Sequence, residues 1–297
     1  MLRYSASEVI NMKLDPNADR YFKGTLGKTG DDTYEVPSLD ATTHSAFCAD
    51  LCYGIAAERF SKLTPWTKIG YNSEISTTEE ALWAAGGAYV FPTAEMGMEV
   101  VSGSVEDDPD KGGAVAGTGA HKIIIYYLDG KYIEKSTEVT LNGTGVVATS
   151  ATDMFRINGV RVIEAGTGGC AAGAISVRHL ADTPIYTQIA IGNTRARTAV
   201  YTVPAGKTLY VTSIFFSSTS SAGKNTIFTT RTNMNDRTGK LGSIFYPFHE
   251  LGVEDGSITK TLEIPTRLPE KTDIVIVGKG TGAAVCTCAL RGWLETN

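Results

Sequence analysis

The middle of the chain alternates short apolar runs with turn-forming residues. Residues 122–128 read KIIIYYL, which is apolar on both faces of an extended strand and therefore predicts a central strand of a sandwich. Asp-Gly or Asn-Gly pairs, which suit tight hairpin turns, follow at 129–130, 142–143 and 158–159. The pattern predicts a meander of antiparallel strands. Polar side chains mark its solvated face: Glu134, Lys135, Glu138 and Thr140.

The C-terminal third continues this pattern. Residues 199–218, AVYTVPAGKTLYVTSIFFSS, predict a strand, a Pro-Ala-Gly-Lys turn and a long strand. Four more strands are expected from the runs SIFYPFHEL, ITKTLEIPTRL, TDIVIVGKG and AVCTCALRGWLE. Six strands separated by turn signals favour a jelly-roll-like sandwich. Cys286 and Cys288 share one face of the last strand, and we interpret both as small core residues.

The N-terminal segment has no such period. Residues 12–43 are polar and turn-rich, which predicts an extended arm. Residues 44–63, HSAFCADLCYGIAAERFSKL, place apolar side chains on one helical face, and Pro65 is expected to end this helix. The predicted fold is all-β, with two tandem β-sandwich domains after an arm that carries one short α-helix. The predicted segments are the arm and helix at 1–66, the first sandwich at 67–182 and the second, jelly-roll-like sandwich at 183–297.

Four aromatic side chains of the arm are candidate docking anchors: Tyr4, Tyr21, Phe22 and Tyr34. Aromatic side chains suit this role because they bury a large area at a low cost in conformational entropy. Local packing of the same side chains against the first sandwich is an equal alternative.

A glycine-rich loop, GGAVAGTGAH at 112–121, raises the question of a phosphate site. The Walker pattern requires a lysine after its last glycine and a helix beyond it, but here Thr118 follows Gly117 and a β-branched run comes next. The segments GTGGCA at 166–171 and GKGTGA at 278–283 fit a loose dinucleotide pattern, yet neither leaves room for a βαβ unit. All three segments are predicted to be turns, and no cofactor-binding residue is assigned.

Few sequence patterns typical of catalytic or metal-binding sites are present. The chain has no G-x-S-x-G or H-E-x-x-H segment, and its four histidines are scattered. The acidic run at 106–110 lacks EF-hand spacing and is predicted to be a solvated loop. Cys48, Cys52 and His44 offer three metal ligands at most, so packing is preferred for them. We predict a non-enzymatic protein with no catalytic, cofactor-binding or metal-binding residues. A carbohydrate-active jelly roll whose residues meet only in space is the alternative.

Composition narrows the classes of partner. The 297 residues carry a formal net charge of -5, which argues against a nucleic-acid binder. Apolar runs of the roughly 18 residues needed to span a bilayer do not occur, and the N-terminus lacks a signal-peptide core, so we expect no membrane association and no export. Five cysteines in a chain of this length predict free thiols in a reducing compartment.

Several segments resemble uncharacterised structural proteins of tailed bacteriophages. They are residues 69–93 (IGYNSEISTTEEALWAAGGAYVFPT), 98–147 (MEVVSGSVEDD to AGTGAHKIIIYYLDGKYIEKSTEVTLNGTGVV) and 155–177 (FRINGVRVIEAGTGGCAAGAISV). Residues 201–218 (YTVPAGKTLYVTSIFFSS) resemble the start of a β-sandwich found in head-decoration, fibre and other accessory virion proteins. The resemblance covers about residues 68–297 and leaves the arm out.

This resemblance implies a virion protein that works by assembly, as a head-decoration or cement component or as a neck, tail or fibre accessory. It implies other virion proteins as partners, homo-oligomers of cyclic symmetry, and synthesis in the cytoplasm of the host bacterium. It supplies no catalytic residue. One alternative is a carbohydrate-binding or carbohydrate-active receptor-recognition protein of the tail. A second alternative, a major capsid shell protein, has less weight because the usual shell fold carries a long spine helix.

Overall fold

The computed structural model of the protein describes residues 3–4, 27–28, 34–35, 51, 53–111, 113, 115–220, 223–234 and 244–297. The chain divides into two compact units, residues 1–60 and residues 61–297. Strands account for most of the described residues, and the helical residues among them are 51 and 53–56. The predicted all-β class is therefore confirmed.

Nineteen strands are found in the described residues, numbered in chain order. Their bounds are β1 Arg3–Tyr4, β2 Gly27–Lys28, β3 Tyr34–Glu35, β4 Leu63–Ile75, β5 Glu80–Ala81, β6 Met98–Ser102, β7 Ala120–Leu128, β8 Glu134–Thr140, β9 Val147–Ala148, β10 Arg156–Ala165, β11 Ile175–His179, β12 Ile185–Ile189, β13 Val200–Thr202, β14 Lys207–Ser220, β15 Asn225–Met234, β16 Tyr246–Glu254, β17 Gly256–Leu268, β18 Thr272–Gly280 and β19 Ala284–Thr296.

All strand pairs that the structure describes are antiparallel. In the first unit, β3 lies between β1 and β2. The second unit holds four sheets. Sheet I has the order β17-β14-β19-β4, and sheet II has the order β13-β18-β15-β16 with β5 also paired to β18. Sheet III has the order β10-β7-β8, and sheet IV has the order β12-β11-β6-β9.

Two large clusters of buried side chains each draw on two sheets. The first cluster joins sheets I and II, and in it Phe216 of β14 stacks on Phe228 of β15 with ring centroids 4.7 Å apart. The second joins sheets III and IV through side chains such as Ile123 of β7 and Ile175 of β11. Cys286 and Cys288 are fully buried in the first cluster, so their predicted role as core residues is confirmed.

Strand pairing also shows how the sheets follow one another along the chain. The strands of sheets III and IV lie between β5 and β13, whereas β4 and β5 pair with β19 and β18 near the C-terminus. The predicted segment boundary at residue 66 falls inside β4, and the boundary at residue 182 falls between the paired strands β11 and β12. The three predicted segments themselves stay a prediction.

Most of the predicted strands and turns are present. β7 is the middle strand of sheet III, with Ile123 and Ile125 fully buried, as its apolar run predicts. The glycine-rich loop leads directly into β7, and its interpretation as a turn is confirmed where the structure describes it. The runs predicted for the C-terminal third form β13, β14 and β16 to β19, and residues 203–206 turn between the first two.

The predicted helix over residues 44–63 is wrong at its C-terminal end. The described helical residues end at 56, a turn follows, and β4 begins at Leu63. Glu58 has a left-handed φ of 54°, a conformation that commonly ends a helix. Pro65 therefore does not end a helix. It lies in β4, an edge strand of sheet I, where a residue without an N–H is tolerated.

The Asn-Gly pair at 158–159 is not a hairpin turn, and this prediction is also wrong. Both residues lie inside β10, at a bulge in its pairing with β7. The Asn158 side chain takes the place of a backbone partner: its Nδ2 donates to the Thr202 carbonyl at 2.8 Å, and its Oδ1 accepts from the Thr202 N–H at 2.9 Å. The bulge turns this side chain towards β13.

Candidate docking surfaces

The predicted anchors of the arm are only partly described. Tyr4 in β1 and Tyr34 in β3 are direct cross-strand partners, so the backbone brings these two positions together. Tyr21 and Phe22 lie outside the described residues. The same is true of His44, Cys48 and Cys52, the three groups whose ability to bind a metal the sequence raised.

The acidic run at 106–110 organises the glycine-rich loops. The Asp107 carboxylate is fully buried and accepts four hydrogen bonds: from Ala120 N at 2.7 Å, Ala172 N at 2.8 Å, Gly173 N at 2.8 Å and Ser102 Oγ at 2.5 Å. These donors come from three separate segments, so a single carboxylate holds the loops at one end of sheets III and IV together. The prediction of a wholly solvated acidic loop is corrected here, because Asp107 is a buried structural acceptor.

The three histidines that the structure describes lie on different elements. His121 contacts the Gly117 carbonyl at 2.8 Å through Nε2, and His179 Nδ1 accepts from the Ala181 N–H at 3.0 Å. Burial lowers the pKa of His249, whose Nε2 lies 3.3 Å from Thr266 Oγ1. Among the described residues, no group of three His, Cys, Asp or Glu side chains is placed to hold a metal ion.

An aromatic pocket of about 150 Å³ lies on the outer face of sheet II. Its walls are the half-buried rings of Tyr89, Phe91 and Phe245, with Val275 and Val277 of β18 at its base. Tyr89 packs edge-on to Phe91 at 4.8 Å, and Phe245 stacks on Phe91 at 5.4 Å. Burial raises the pKa of Tyr89 well above its usual range.

Charged side chains also line the aromatic pocket. Arg231 of β15 forms a two-pronged ion pair with Glu79, in which Nη1 lies 2.7 Å from Oε1. Glu80 accepts a hydrogen bond from the Gly87 N–H at 2.8 Å, which fixes the segment before Tyr89. The charged groups that line the pocket are therefore two carboxylates and one guanidinium, and Ala88 is an exposed lining residue.

The pocket rests on a buried ion pair between β10 and β18. Arg156 donates from Nε and Nη2 to the two carboxylate oxygens of Asp273, at 3.0 Å each, and from Nη1 to the Pro92 carbonyl at 2.6 Å. Its guanidinium also lies over the Phe91 ring, 5.1 Å from the centroid. Since a two-pronged pair fixes both position and plane, Arg156 holds Phe91 in place against sheet II.

A second contact joins β10 to β4. Lys68 Nζ donates to the Asn158 carbonyl at 2.6 Å and lies 5.9 Å from the centroid of the Tyr201 ring. Burial lowers the pKa of Lys68 to about 8, and the positive charge of Arg195 acts in the same direction.

The edge of sheet I carries the most exposed large apolar side chain of the described residues. β17 pairs with β14 on one side only, and residues 262–265 form a bulge opposite the single residue Thr212. Ile264, within this bulge, is 85% exposed, while Leu262 packs against the core. Lys260, Glu263 and Arg267 surround it in sequence and are all exposed.

The sequence patterns described above predict neither the aromatic pocket nor the bulge in β17. The pocket residues come from four distant segments, and only the spacing of Tyr89 and Phe91, two residues apart, signals a shared face in an extended segment. For the bulge the signal was available: Pro265 interrupts an alternating run, which favours an edge strand or a bulge.

The comparisons with known proteins add no family. No protein-family model matches the chain, and no curated protein matches it significantly. Among solved structures, one described as "Structure of infectious bursal disease virus Gt strain" aligns over 79% of this chain and 80% of that chain, with 7% sequence identity and a TM-score of 0.12. A likeness this weak carries no inference about fold or function. Within the described residues, no helix has both the length and the apolar character needed to cross a membrane.

Proposed function

We propose that this chain is a non-enzymatic structural protein of a tailed-phage virion, where it serves as a head-decoration, neck, tail or fibre component. Two things support the proposal. The first is the resemblance of residues 68–297 to such proteins. The second is a strand-rich unit, residues 61–297, that exposes several large apolar side chains available for protein contacts.

The observation that carries the proposal is the exposure of β17. Of its thirteen residues, nearly all have exposed or half-buried side chains, and Ile264 is 85% exposed. Covering such a side chain with a partner removes its apolar surface from water and stabilises the complex. Assembly into a larger particle would provide that cover.

We further propose that the sheets work as two sandwich-like bodies. The buried cluster shared by sheets I and II supports one body, and the cluster shared by sheets III and IV supports the other. In this arrangement the second body is inserted between β5 and β13 of the first, instead of the two following in tandem. Tyr4, Tyr21, Phe22 and Tyr34 of the arm are the proposed anchors on a neighbouring virion protein.

The test is to look for the chain in particles. Phage particles from a host that encodes the chain are purified by density gradient, their proteins are identified by mass spectrometry, and the chain is traced by cryo-electron microscopy. We expect the chain at a fixed copy number per particle, with residues 1–60 against capsid or tail subunits. Particles that carry the full set of other virion proteins without this chain would overturn the proposal.

A second candidate function is glycan recognition, and one observation favours it. The aromatic pocket places Tyr89, Phe91 and Phe245 beside the Glu79 and Glu80 carboxylates, and aromatic rings with adjacent polar groups are common in small-ligand sites. A glycan array probed with the full chain and with Phe245→Ala tests it. Binding that depends on Phe245 supports this candidate, and binding to no glycan excludes it for the sugars on the array.

A further inference from the structure

We propose that Ile264 of one copy inserts into the aromatic pocket of a second copy, so that the chain associates head to tail with itself. This inference deepens the assembly role proposed above and depends on it for its biological setting. The pairing joins two surfaces that the single chain leaves incomplete: a protruding aliphatic side chain on sheet I and a cavity on sheet II.

The sizes of the two surfaces agree. An apolar cavity of about 150 Å³ holds a molecule the size of benzene, so a four-carbon isoleucine side chain fits the aromatic pocket. Ile264 is 85% exposed in its own chain and therefore does not occupy the pocket of that chain. The bulge at 262–265 belongs to a strand that is paired on both sides of it, so the protruding Ile264 side chain, called the knob below, needs little ordering when it binds.

The charges also agree. Two exposed cations and one exposed anion lie within four residues of Ile264 in sequence, namely Lys260, Arg267 and Glu263. Two anions and one cation line the pocket, namely Glu79, Glu80 and Arg231. Opposite local charges favour this pairing over knob-to-knob or pocket-to-pocket contacts, each of which would bring like charges together.

The packing of the rings favours an aliphatic side chain over a sugar. Sugars stack on open ring faces, but Phe91 already contacts the Arg156 guanidinium, Phe245 and Tyr89. The base of the pocket is formed by Val275 and Val277, which offer no hydrogen bond from their side chains to a hydroxyl group. A dry apolar group leaves no polar atom unpaired there.

The geometry has a consequence for symmetry. The knob lies on sheet I and the pocket on sheet II, so we propose that a pair of copies makes one such contact, which is heterologous and produces a closed ring or an open filament. A reciprocal two-fold dimer, in which each copy fills the pocket of the other, would stop at two copies. Each copy in such an assembly uses its knob once and its pocket once.

This property gives a test by complementation with the full chain in sedimentation velocity experiments. Ile264→Asp removes the knob and keeps the pocket, whereas Ala88→Trp blocks the pocket at an exposed position and keeps the knob. We expect the wild-type chain to form species larger than a dimer as its concentration rises. Each variant alone should be monomeric, because loss of a central contact weakens association by about thirtyfold or more. An equimolar mixture of the two variants should form a dimer and nothing larger.

The matched control is Ile191→Asp, which removes another exposed isoleucine, 67% exposed, outside both surfaces. It should associate like the wild type. Circular dichroism and thermal unfolding check that all variants are folded. Ile264→Asp that still assembles, a mixture that gives no dimer, or a wild-type chain that stays monomeric or stops at a dimer would each overturn the inference.

Failure of this inference and failure of the proposed function can be told apart. If the particles contain the chain and Ile264→Asp is incorporated as well as the wild type, the virion role stands and the knob contact is wrong. If no particle contains the chain but the variants complement as described, the contact stands and the virion role is wrong.

Discussion

The two pairs of sheets in residues 61–297 differ in how completely their buried polar groups are hydrogen-bonded. At one end of sheets III and IV, Asp107 accepts four hydrogen bonds and leaves neither of its oxygens without a partner. In sheet II, Thr230, Asn233 and Thr272 have buried side-chain atoms without a hydrogen-bond partner. An unpaired buried polar group costs free energy, so removing the unpaired groups of sheet II should stabilise the protein. Substitution of the fully paired groups around Asp107 should not.

The same difference extends to the surface. The knob at Ile264 and the aromatic pocket both belong to sheets I and II. The loops of sheets III and IV are closed by their own hydrogen bonds. The fully hydrogen-bonded Asp107 site therefore belongs to sheets III and IV, and both surfaces proposed for assembly belong to sheets I and II. The following substitutions test this difference.

Asp107→Ala should give the largest effect. It leaves three backbone N–H groups and the Ser102 hydroxyl without their acceptor inside the protein, so we expect a loss of about 4 kcal/mol in the free energy of unfolding. Urea denaturation followed by fluorescence measures it. Asp108→Ala is the control, since Asp108 accepts a hydrogen bond from the Asp110 N–H near the surface, and it should cost less than about 1 kcal/mol. Equal losses for the two variants would show that Asp107 is not the structural centre of these loops.

How much of this could be predicted from the sequence depends on how local the determining contacts are. β7, β14 and β18 follow from apolar runs bounded by turn residues, and those signals lie within each strand. β15 (NTIFTTRTNM) was not predicted, because a segment rich in threonine has no apolar run, although Thr226, Thr230 and Thr232 are buried. Their burial is set by sheet I, which no local pattern contains.

The surfaces were harder to predict than the strands. Asn158 looks like a turn residue until β13 is placed beside it, because its amide pairs with Thr202, 44 residues further along the chain. Tyr89, Phe91 and Phe245 line one pocket only when β5, β15 and β18 are paired in sheet II. Long-range pairing of this kind is decided by the whole fold.

Lys68 offers an intermediate effect at the contact between β10 and sheet I. Its pKa is lowered from 10.5 to about 8 in the folded chain, so between these values the unfolded chain binds more protons. Stability should therefore rise as the pH increases from about 8 to 10.5, by roughly 2 kcal/mol, as the penalty for burying the charge disappears. Urea midpoints measured at intervals across this range test the sign.

Lys68→Met is the matched control for this pH dependence, because it removes the titrating group and keeps the length of the side chain. Other lysines and tyrosines titrate in the same range, so the informative quantity is the difference in stability between the wild type and this variant. That difference should shift in favour of the wild type as the pH rises. A difference that stays constant from pH 7 to 10.5 would rule out the buried charge as the cause.

The smallest expected effect is also the one that reverses sign within a single strand. Thr226 and Thr230 of β15 are both fully buried, but Thr226 Oγ1 lies 2.9 Å from Ser218 Oγ while Thr230 Oγ1 has no partner. Valine has the same shape as threonine, so Thr230→Val should stabilise the protein by about 1 kcal/mol, since it removes an unpaired hydroxyl. Thr226→Val should destabilise it by a similar amount, because it takes a partner from Ser218. Thermal and urea unfolding of the two variants measure these changes. A loss of stability in Thr230→Val would mean that the Thr230 hydroxyl has a partner, such as a buried water molecule. The difference between the two pairs of sheets would then be smaller than proposed.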